Sequence, residues 1–486
     1  MASPGQLYVG GAWSSPTSTE TMDVVSPHTE EVIATVPVAG PEDVDRAVGA
    51  ARLAFDEGPW PRLDPSERIA AVRQLAERYA GRRKEMAALI TDEMGAPTSF
   101  SRFAQATLPM MLLNTFADIA DSYAWEDTRP GAYGEDLILQ KLPAGVVVAI
   151  VPWNMPQFLI AGKLGPALLA GCPIIIKPAP ETPLDALLLA ELVDELDLPP
   201  GLVSVLPGGR EVGELLVAHP GVDKVAFTGS TSAGRQVAAT CGASLTRVSL
   251  ELGGKSAAIV LDDADPDEVA QGVRVAGLMN SGQACVAQTR VLVPASRHDE
   301  YLDALATMVR ELPTGDPSDR ATEIGPLVTR RQRERVLGFI DDGEKEGARL
   351  VVGGAGPPAG LDRGWYVQPT LFADVDNGMR IAREEIFGPV LSVIPYGDTD
   401  DAVRIANDSD YGLSGSVWTA DGARGLGVAR RVRTGSFGVN QPYSMDPAAP
   451  FGGMKASGIG RELGREGLEG YLEVKSISVA PPPPAS

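Results

Sequence analysis

A cysteine, a glutamate and an asparagine stand in three short stretches whose residue types could carry out chemistry. Residues 279–287 read MNSGQACVA and place Cys285 among small residues, shortly after Gly282. A thiolate is a strong nucleophile where its pKa is lowered or a base takes its proton, and where a substrate can reach it. A lone cysteine is more often a buried packing residue, so Cys285 alone does not indicate catalysis.

Two other stretches supply the partners that this nucleophile needs. Residues 250–255 read LELGGK and put Glu251 at the end of an apolar strand, while residues 151–156 read VPWNMP and put Asn154 at the end of another. A nucleophile, a base and an amide donor are the parts required for covalent chemistry on a carbonyl group. Cys285, Glu251 and Asn154 are therefore the candidate catalytic residues.

The length and composition are typical of a globular protein with two or three domains. The chain has 486 residues, 44% of them hydrophobic and 22% charged. Its net charge of −22 disfavours nucleic acid and anionic membranes as partners. No apolar run approaches the ~20 residues of a membrane span, and the N-terminal residues lack the pattern of a secretory signal. We expect a soluble, cytoplasmic protein with no membrane partner.

The other cysteines and the histidines indicate neither disulfides nor a metal. Three cysteines form an odd and sparse set, which fits a reducing compartment. Cys172 and Cys241 lie in apolar or helix-like surroundings and are interpreted as packing residues. The three histidines are scattered without a second ligand at helical spacing, so no metal site is expected.

The elements that must position the candidate residues follow two patterns, a mainly helical one near the N-terminus and an alternation of strands and helices after it. The first part of the chain predicts a small hairpin at residues 7–13 and helices over residues 41–56, 65–79, 83–94 and 98–123.

From about residue 146 onwards, short apolar strands alternate with helices, which predicts a doubly wound parallel sheet. Ligands of such sheets lie beyond the carboxyl ends of the strands. Asn154, Lys177, Gly229 and Glu251 all fall at those ends.

A second α/β region is predicted from about Gly254 onwards. Its first helix should begin at Pro266, with Asp265 as the N-cap, and should lead into the Cys285 stretch. The last predicted strand covers residues 471–479, and the proline run at 481–484 is expected to be a disordered end.

Together these stretches resemble the aldehyde dehydrogenase superfamily, from residue 7 to about residue 479. Further similar motifs are FTGSTSAG at 227–234, EEIFGPV at 384–390, GSFGVN at 435–440 and PFGGMKASG at 450–458. The resemblance implies an α/β fold with a doubly wound Rossmann-like cofactor domain, a second α/β catalytic domain and a small β oligomerisation element. The implied bounds are 1–124 and 143–253 for the cofactor domain, 254–454 for the catalytic domain, and 125–142 and 471–486 for the oligomerisation element.

The resemblance also implies NAD as the cofactor, with NADP possible. The strand-to-helix turn at residues 227–234 lacks the G-x-G-x-x-G spacing but offers a helix N-terminus to a pyrophosphate. Lys177 would bind the adenosine ribose, although a lysine extending to solvent is the commoner fate of such a residue. Glu385 and Phe387 would contact the nicotinamide ribose and the nicotinamide. The implied cofactor-binding residues are Trp153, Lys177, Gly229, Ser230, Gly234, Glu385 and Phe387.

One position departs from the family pattern. Many members carry an acid where this chain has Pro180, and that acid binds the ribose 2′-hydroxyl. Proline cannot accept that hydrogen bond, so the discrimination between NAD and NADP is expected to be weaker than in acid-bearing relatives.

The implied reaction is the oxidation of an aldehyde to a carboxylic acid. Cys285 would form a thiohemiacetal and then a thioester, Asn154 and the backbone N–H of Cys285 would stabilise the oxyanion, and Glu251 would activate water. The alternatives are an acyl-transferring or esterase-type thiol enzyme on the same scaffold, and a non-catalytic binding or structural protein that kept the fold.

The sequence identifies the partners only in outline. The substrate is expected to be a small-molecule aldehyde, with apolar candidates for an entry channel at Met110, Met155, Phe158, Leu159 and Phe451. The protein is expected to assemble as a homodimer or homotetramer through the β element, because an exposed strand edge needs a partner or other protection.

Overall fold

The computed structural model describes residues 5–443 and 445–480. The proline run at 481–484 lies outside the described residues. The strands of the described chain are β1 (Leu7–Val9), β2 (Ala12–Ser14), β3 (Thr21–Val25), β4 (Val32–Pro37), β5 (Glu126–Pro130), β6 (Asp136–Pro143), β7 (Val147–Ile150), β8 (Ile174–Lys177), β9 (Val203–Val205), β10 (Lys224–Thr228), β11 (Arg247–Glu251), β12 (Ala257–Val260), β13 (Arg290–Pro294), β14 (Arg349–Val352), β15 (Thr370–Ala373), β16 (Val390–Tyr396), β17 (Gly415–Trp418), β18 (Gly438–Val439), β19 (Gly458–Ile459) and β20 (Leu472–Val479).

The helices pack on both faces of the sheets and form a separate layer near the N-terminus. They are α1 (Pro41–Asp56), α2 (Pro65–Met94), α3 (Thr98–Phe100), α4 (Thr107–Asp121), α5 (Pro156–Ala170), α6 (Leu184–Asp194), α7 (Arg210–Ala218), α8 (Thr231–Ser244), α9 (Pro266–Leu278), α10 (His298–Arg310), α11 (Arg330–Lys345), α12 (Arg380–Arg383), α13 (Thr399–Asn407), α14 (Gly422–Ala429) and α15 (Gly464–Glu469). In the described ranges, no helix combines the length and the apolar character needed to cross a membrane.

The first large sheet has eight strands in the order β19-β11-β10-β7-β8-β9-β1-β2. Its central strands β11, β10, β7, β8 and β9 run parallel, which confirms the predicted doubly wound sheet. The β8 run, Ile-Ile-Ile-Lys, is wholly buried, as expected for a strand covered by helices on both faces. The carboxyl ends of these parallel strands therefore meet at one edge.

The second large sheet has seven strands in the order β14-β15-β16-β13-β12-β17-β18. Strands β15, β16, β13, β12, β17 and β18 are parallel, which confirms a second α/β region. Strand β12 follows β11 after only five residues, 252–256. The amino ends of the second sheet therefore face the carboxyl ends of the first, an arrangement that the sequence pattern did not predict.

A third sheet consists of β20, β6 and β5, all antiparallel. These strands belong to the segments predicted as an oligomerisation element, and within one chain they pair with each other. The outer edges of β5 and β20 carry no strand partner among the described residues. Pairing with a second subunit and the domain boundaries stay predictions.

Two predicted helix boundaries are wrong. The helices expected over residues 65–79 and 83–94 form one helix, α2, which continues through Gly81. A glycine inside an exposed helix face costs about 1 kcal/mol, which the buried side chains on both sides of Gly81 outweigh. The helix expected over residues 98–123 is interrupted by a π-helical turn, Ser101–Gln105, before α4 begins.

Two local sequence signals, a helix cap and a glycine turn, are confirmed by the structure. Helix α9 begins at Pro266, and the Asp265 side chain accepts hydrogen bonds from the backbone N–H groups of Asp267 and Glu268, as predicted. The hairpin of β1 and β2 turns on Gly10 and Gly11, which both have positive φ angles. The Asp265 cap fixes where α9 begins, and α9 leads into the Cys285 stretch.

Candidate functional site

Two adjoining cavities lie along the carboxyl edge of the first large sheet, and the first of them is also lined by segments of the second α/β region. Their volumes are about 700 and 920 Å³. Both are lined by Pro152, Trp153, Thr228, Gly229 and Ser230, so they form one continuous cleft. The first cavity contains the predicted nucleophile and base, and the second extends over the β8 edge to Lys177.

The structure brings nearly all the predicted site residues to this cleft. The first cavity is lined by eight of them: Trp153, Asn154, Gly229, Ser230, Glu251, Cys285, Glu385 and Phe387. Lys177 lines the second cavity. Gly234 lines neither; a Cβ at this position would collide with the Leu252 side chain, so it allows α8 to pack closely on the sheet. Cys172 and Cys241 are buried elsewhere.

Three consecutive left-handed residues shape the loop that carries Cys285. Asn280, Ser281 and Gly282 have φ angles of 53°, 58° and 72°. A side chain at Gly282 would collide with the carbonyl oxygen of Gly388, so only glycine fits there. Ser281 anchors the loop, because its Oγ donates to the carbonyl of Gly325 at 3.1 Å and accepts from that residue's N–H at 2.9 Å. Such strain in non-glycine residues is characteristic of functional sites.

The surroundings of the Cys285 thiol favour its protonated form. Burial, followed by the nearby carboxyl groups of Glu385 and Glu251, raises its pKa to about 12. The backbone N–H groups of Cys285 and Val286 act in the opposite direction but are outweighed. As arranged here, the thiol needs a base to take its proton.

Glu251 has the properties of such a base. It ends β11, is 3% exposed, and neither carboxyl oxygen has a hydrogen-bond partner. Burial and the charge of Glu462 raise its pKa well above the usual value, while Lys163 and Arg461 act to lower it. A carboxylate with a raised pKa is a stronger base than an exposed one.

Asn154 is fixed by a network of amides. Its side-chain Nδ2 donates to the carbonyl of Gln283 at 3.1 Å, and its own carbonyl accepts from Gln105 Nε2 at 2.7 Å and Asn280 Nδ2 at 3.0 Å. One N–H of the side-chain amide remains for another acceptor, since the group carries two hydrogens. Asn154 and Cys285 line the same cavity.

The turn after β10 offers a helix N-terminus to the cleft. Ser230 caps α8, with its Oγ accepting from the N–H of Ala233 at 3.3 Å. The first backbone N–H groups of α8 have no partner within the helix, and the helix dipole favours an anion there. Gly229, Ser230 and Ser232 line both cavities at this point.

Lys177 is buried in the cleft and does not extend to bulk solvent. Its Nζ donates to the carbonyl of Pro178 at 2.9 Å, and burial lowers its pKa to about 8 despite Glu181 and Glu211. Pro180 is exposed and lines the same cavity. Glu181 lies beside it, with Arg331 at 3.8 Å.

The turn before β16 brings Glu385 and Phe387 to the opposite wall. Glu385 Oε1 accepts from the N–H of Gly254 at 3.0 Å, and burial raises the pKa of Glu385 to about 7. Phe387 has a φ of 63° and meets the Trp153 ring edge to face, with centroids 5.3 Å apart. Helix α11 holds this turn, because Gln332 donates to the Phe387 carbonyl at 2.8 Å.

Cys285 packs against a large hydrophobic cluster. Met155, Phe158, Leu159 and Phe451 are at most 8% exposed and belong to one hydrophobic cluster. The partly buried residues packed against this cluster include Cys285, Met110, Met279, Tyr443 and Met445. Of the five residues expected to form an entry channel, four therefore belong to the cluster against which Cys285 packs, and Met110 packs against that cluster. None of the five lines either cavity of the cleft, so the channel stays a prediction.

Sequence reasoning missed the residues that support the site from behind. They are Gln105, Asn280 and Gln283 around Asn154, the buried ion pair of Lys163 and Glu462 near Glu251, and Gln332 and Arg335 behind the β16 turn. The one available signal was a polar residue inside an otherwise apolar helical pattern, as at Lys163. Its partner Glu462 is 299 residues away, so the pair was not predictable from spacing.

Comparison with known proteins identifies the family. A sequence profile described as the Aldehyde dehydrogenase family matches residues 13–477. Geranial dehydrogenase of Castellaniella defragrans is 47% identical over 471 residues, covering 97% of this chain and 98% of that protein. Both comparisons extend over nearly the whole chain.

Solved structures show the same fold. The aldehyde dehydrogenase of Mycobacterium tuberculosis in complex with NAD⁺ is 48% identical, has a TM-score of 0.96 and is matched over 98% of each chain. A mutant of aldehyde dehydrogenase C from Pseudomonas syringae, in complex with NAD⁺ and octanal, is 41% identical with a TM-score of 0.94, over 98% of this chain and 97% of that one.

Removal of the Glu385 charge should make the Cys285 thiol more reactive. We expect Glu385→Gln to raise the rate of alkylation by iodoacetamide at pH 8.5 about threefold or more, because the ionised carboxylate opposes formation of the thiolate. The measurement is the rate of label incorporation, with Cys285→Ser giving the background from the two buried cysteines. Glu384→Gln, at the exposed neighbouring position, should leave the rate unchanged. A slower or unaltered rate in Glu385→Gln would contradict this electrostatic account.

Proposed function

This chain belongs to the aldehyde dehydrogenase family and oxidises aldehydes, and we propose that it does so with NAD through a covalent thioester on Cys285, giving a carboxylic acid. The observation that carries the proposal is the shared cavity in which Cys285, Glu251 and Asn154 meet. NAD is proposed because the M. tuberculosis and P. syringae structures contain it and because the cleft suits a dinucleotide.

The donor set of the cleft fits NAD. The α8 N-terminus with Gly229 and Ser230 would hold the pyrophosphate, and Lys177 would bind the adenosine ribose. Glu385 would bind the nicotinamide ribose, with Trp153 and Phe387 beside the nicotinamide. Bound NAD⁺ supplies the acceptor for the hydride that an aldehyde loses on oxidation.

Cys285 supplies the nucleophile in the first step. Its thiol gives a proton to a base, and the sulfur forms a bond to the aldehyde carbon while the carbonyl oxygen gains the negative charge. The free N–H of the Asn154 amide and the backbone N–H of Cys285 would stabilise that oxyanion, and loss of one such donor typically costs ~10²–10³ in rate. Loss of hydride from the same carbon leaves the thioester.

Glu251 supplies the base for hydrolysis. It would take a proton from water, whose oxygen attacks the thioester carbon and displaces the Cys285 sulfur, which regains a proton. A positioned general base typically raises the rate of such a step by a factor of ~10²–10⁴. Its buried carboxyl group favours hydrolysis over acyl transfer to another thiol, so the transferring alternative is the weaker one. Membership of an enzyme family argues against the non-catalytic alternative.

The substrate is proposed to be an apolar aldehyde of medium length. Met155, Phe158, Leu159 and Phe451, which belong to the hydrophobic cluster against which Cys285 packs, would form the wall of the entry channel. Each methylene buried there contributes about 0.8 kcal/mol, whereas an unpaired carboxylate would be penalised. Two relatives point to aldehydes of this kind. One is named geranial dehydrogenase, and the structure of the other, from P. syringae, contains octanal.

The assembly is proposed to be a homodimer or homotetramer formed through the third sheet. Its outer strands β5 and β20 are mostly exposed along their length. Exposed edges with unpaired backbone groups favour pairing with another copy of the chain. A cytoplasmic location also stays a proposal, which the sparse, unpaired cysteines support.

Replacement of the base should separate the two halves of the reaction. In Glu251→Gln at high pH, where the thiol can ionise without this base, we expect a burst of one NADH per active site, followed by steady turnover slowed by ~10²–10⁴, because the thioester forms but is hydrolysed slowly. Stopped-flow absorbance at the NADH band measures both phases. The burst should quicken as the pH rises, since the thiol then ionises without the base.

Two variants serve as controls for this experiment. Cys285→Ser should give no burst, and Cys172→Ser should behave as the parent, because Cys172 lies away from the cleft. A Glu251→Gln steady-state rate equal to that of the parent would remove Glu251 from the mechanism.

The substrate proposal predicts an order of rates. Octanal should give a higher kcat/KM than hexanal, and about a hundredfold higher than a semialdehyde of similar length, because the apolar wall offers no partner for a terminal carboxylate. The measurement is NADH formation over this panel at one pH. Equal values for octanal and the semialdehyde would refute an apolar channel.

Cofactor choice should depend on residue 180. Pro180→Glu should shift the ratio of kcat/KM towards NAD over NADP by about 1–3 kcal/mol, because the acid accepts from the ribose 2′-hydroxyl and repels a 2′-phosphate. Pro180→Gln is the matched control, since it restores an acceptor without the charge and should shift the ratio less. An unchanged ratio in Pro180→Glu would mean that the ribose is recognised elsewhere.

A further inference from the structure

The backbone carbonyl of Asn154 is held by two buried side-chain amides from different parts of the fold. Gln105 Nε2 donates to it at 2.7 Å and Asn280 Nδ2 at 3.0 Å. The two donors are 0% and 2% exposed, and Asn154 itself is 3% exposed. Buried polar bonds of this kind resist displacement, because breaking one leaves an unpaired group away from water.

Each donor comes from a segment with an irregular backbone. Gln105 is the last residue of the π-helical turn Ser101–Gln105, and the backbone turns at Ala106, with φ −126° and ψ −25°, before α4 begins. Asn280 is in the left-handed conformation in the loop that carries Cys285. π-helical turns and left-handed residues cost energy and occur preferentially where function needs them.

The two hydrogen bonds connect the Asn154 loop to two other segments, the loop that carries Cys285 and the helical layer that contains Gln105. Asn280 ties Asn154 to the nucleophile loop, where its Nδ2 also lies 3.3 Å from the Gln283 carbonyl. Gln105 ties the same residue to the helical layer outside the sheet. Because Asn154 stands in the loop between β7 and α5, these side chains restrain a peptide group that lies outside any strand or helix.

We propose that Gln105 is a positioning residue, which holds the Asn154 peptide so that the side-chain amide of Asn154 points at the oxyanion formed on the Cys285 adduct. The proposal rests on the oxyanion role of Asn154 proposed above. Gln105 touches neither substrate nor cofactor in this role and acts through Asn154. A displacement of about 1 Å in a catalytic group costs up to ~10² in rate, so the effect of Gln105 should fall below that of Asn154 itself.

A double-mutant cycle tests the proposal. Gln105→Met keeps the shape of the side chain but loses the donor, and we expect kcat to fall about tenfold, with the aldehyde KM and the NAD dissociation constant changed less than threefold. In an Asn154→Ala background, where kcat is already reduced by ~10²–10³, Gln105→Met should cause no further loss. Losses that multiply in the double mutant, or a parent-like kcat in Gln105→Met, would overturn the proposal.

A second variant keeps the test decisive if Gln105→Met folds poorly. In Gln105→Glu, a protonated carboxyl group donates to the Asn154 carbonyl, while a carboxylate repels it. The kcat of this variant, relative to the parent, should therefore fall as the pH rises from 6 to 9. A ratio that does not change with pH would overturn the proposal.

Tyr79→Phe is the matched control for packing. The Tyr79 hydroxyl donates to the backbone carbonyl of Gln105 at 3.4 Å and does not contact Asn154. Its removal should leave kcat unchanged and any change confined to the melting temperature; a tenfold loss of kcat in this variant would point to packing and against the proposal. A parent-like kcat in Asn154→Ala alone would instead refute the oxyanion role, which separates failure of the proposed function from failure of this inference.

Discussion

The short connection between the two large sheets governs the geometry of the whole site. Residues 252–256 lead from the carboxyl end of β11 directly to the amino end of β12. The connection passes so close to the nucleophile that a Cβ at Gly254 would lie 2.5 Å from the Cys285 carbonyl oxygen. A Cβ at Gly253 would collide with the Glu385 carboxylate. Only glycines let the two edges approach in this way, and the approach places Glu251 and Cys285 in one cavity.

Burial at that junction explains the unusual acid–base properties of the site. The same loss of water raises the pKa values of Cys285, Glu251 and Glu385 and lowers that of Lys177. In each case burial is the largest cause, and it favours the uncharged form. Both the thiol and its base are thus held towards their uncharged forms, so Glu251 must be ionised before it can take the thiol proton, and the negative charge then passes from the carboxylate to the sulfur. The cleft is thus suited to chemistry in which charge develops briefly and is then removed.

The two large sheets contribute different residues to the cleft. The first sheet contributes the turn after β10, Lys177 and Glu251 from the carboxyl ends of its strands. The second sheet contributes Cys285, Glu385 and Phe387 from segments that precede β13 and β16. The rule that ligands lie beyond carboxyl ends therefore describes only half of this site. The other half depends on strain in the loop backbone, with positive φ angles at Asn280, Ser281 and Phe387.

The sequence by itself determined the parallel strands of the first sheet, most helices and the candidate catalytic residues that line the cleft, because these depend on local patterns. A buried run such as β8, a capped start such as Asp265–Pro266, and a polar residue directly after a strand are all visible over a few positions. The tertiary structure alone decided how the edges face each other, and it joined the two helices at Gly81. It also brought together pairs such as Lys163 with Glu462 and Gln105 with Asn154, which are 299 and 49 residues apart. Such pairs form only when the chain has packed, because a buried hydrogen bond requires both partners to lose water at the same place.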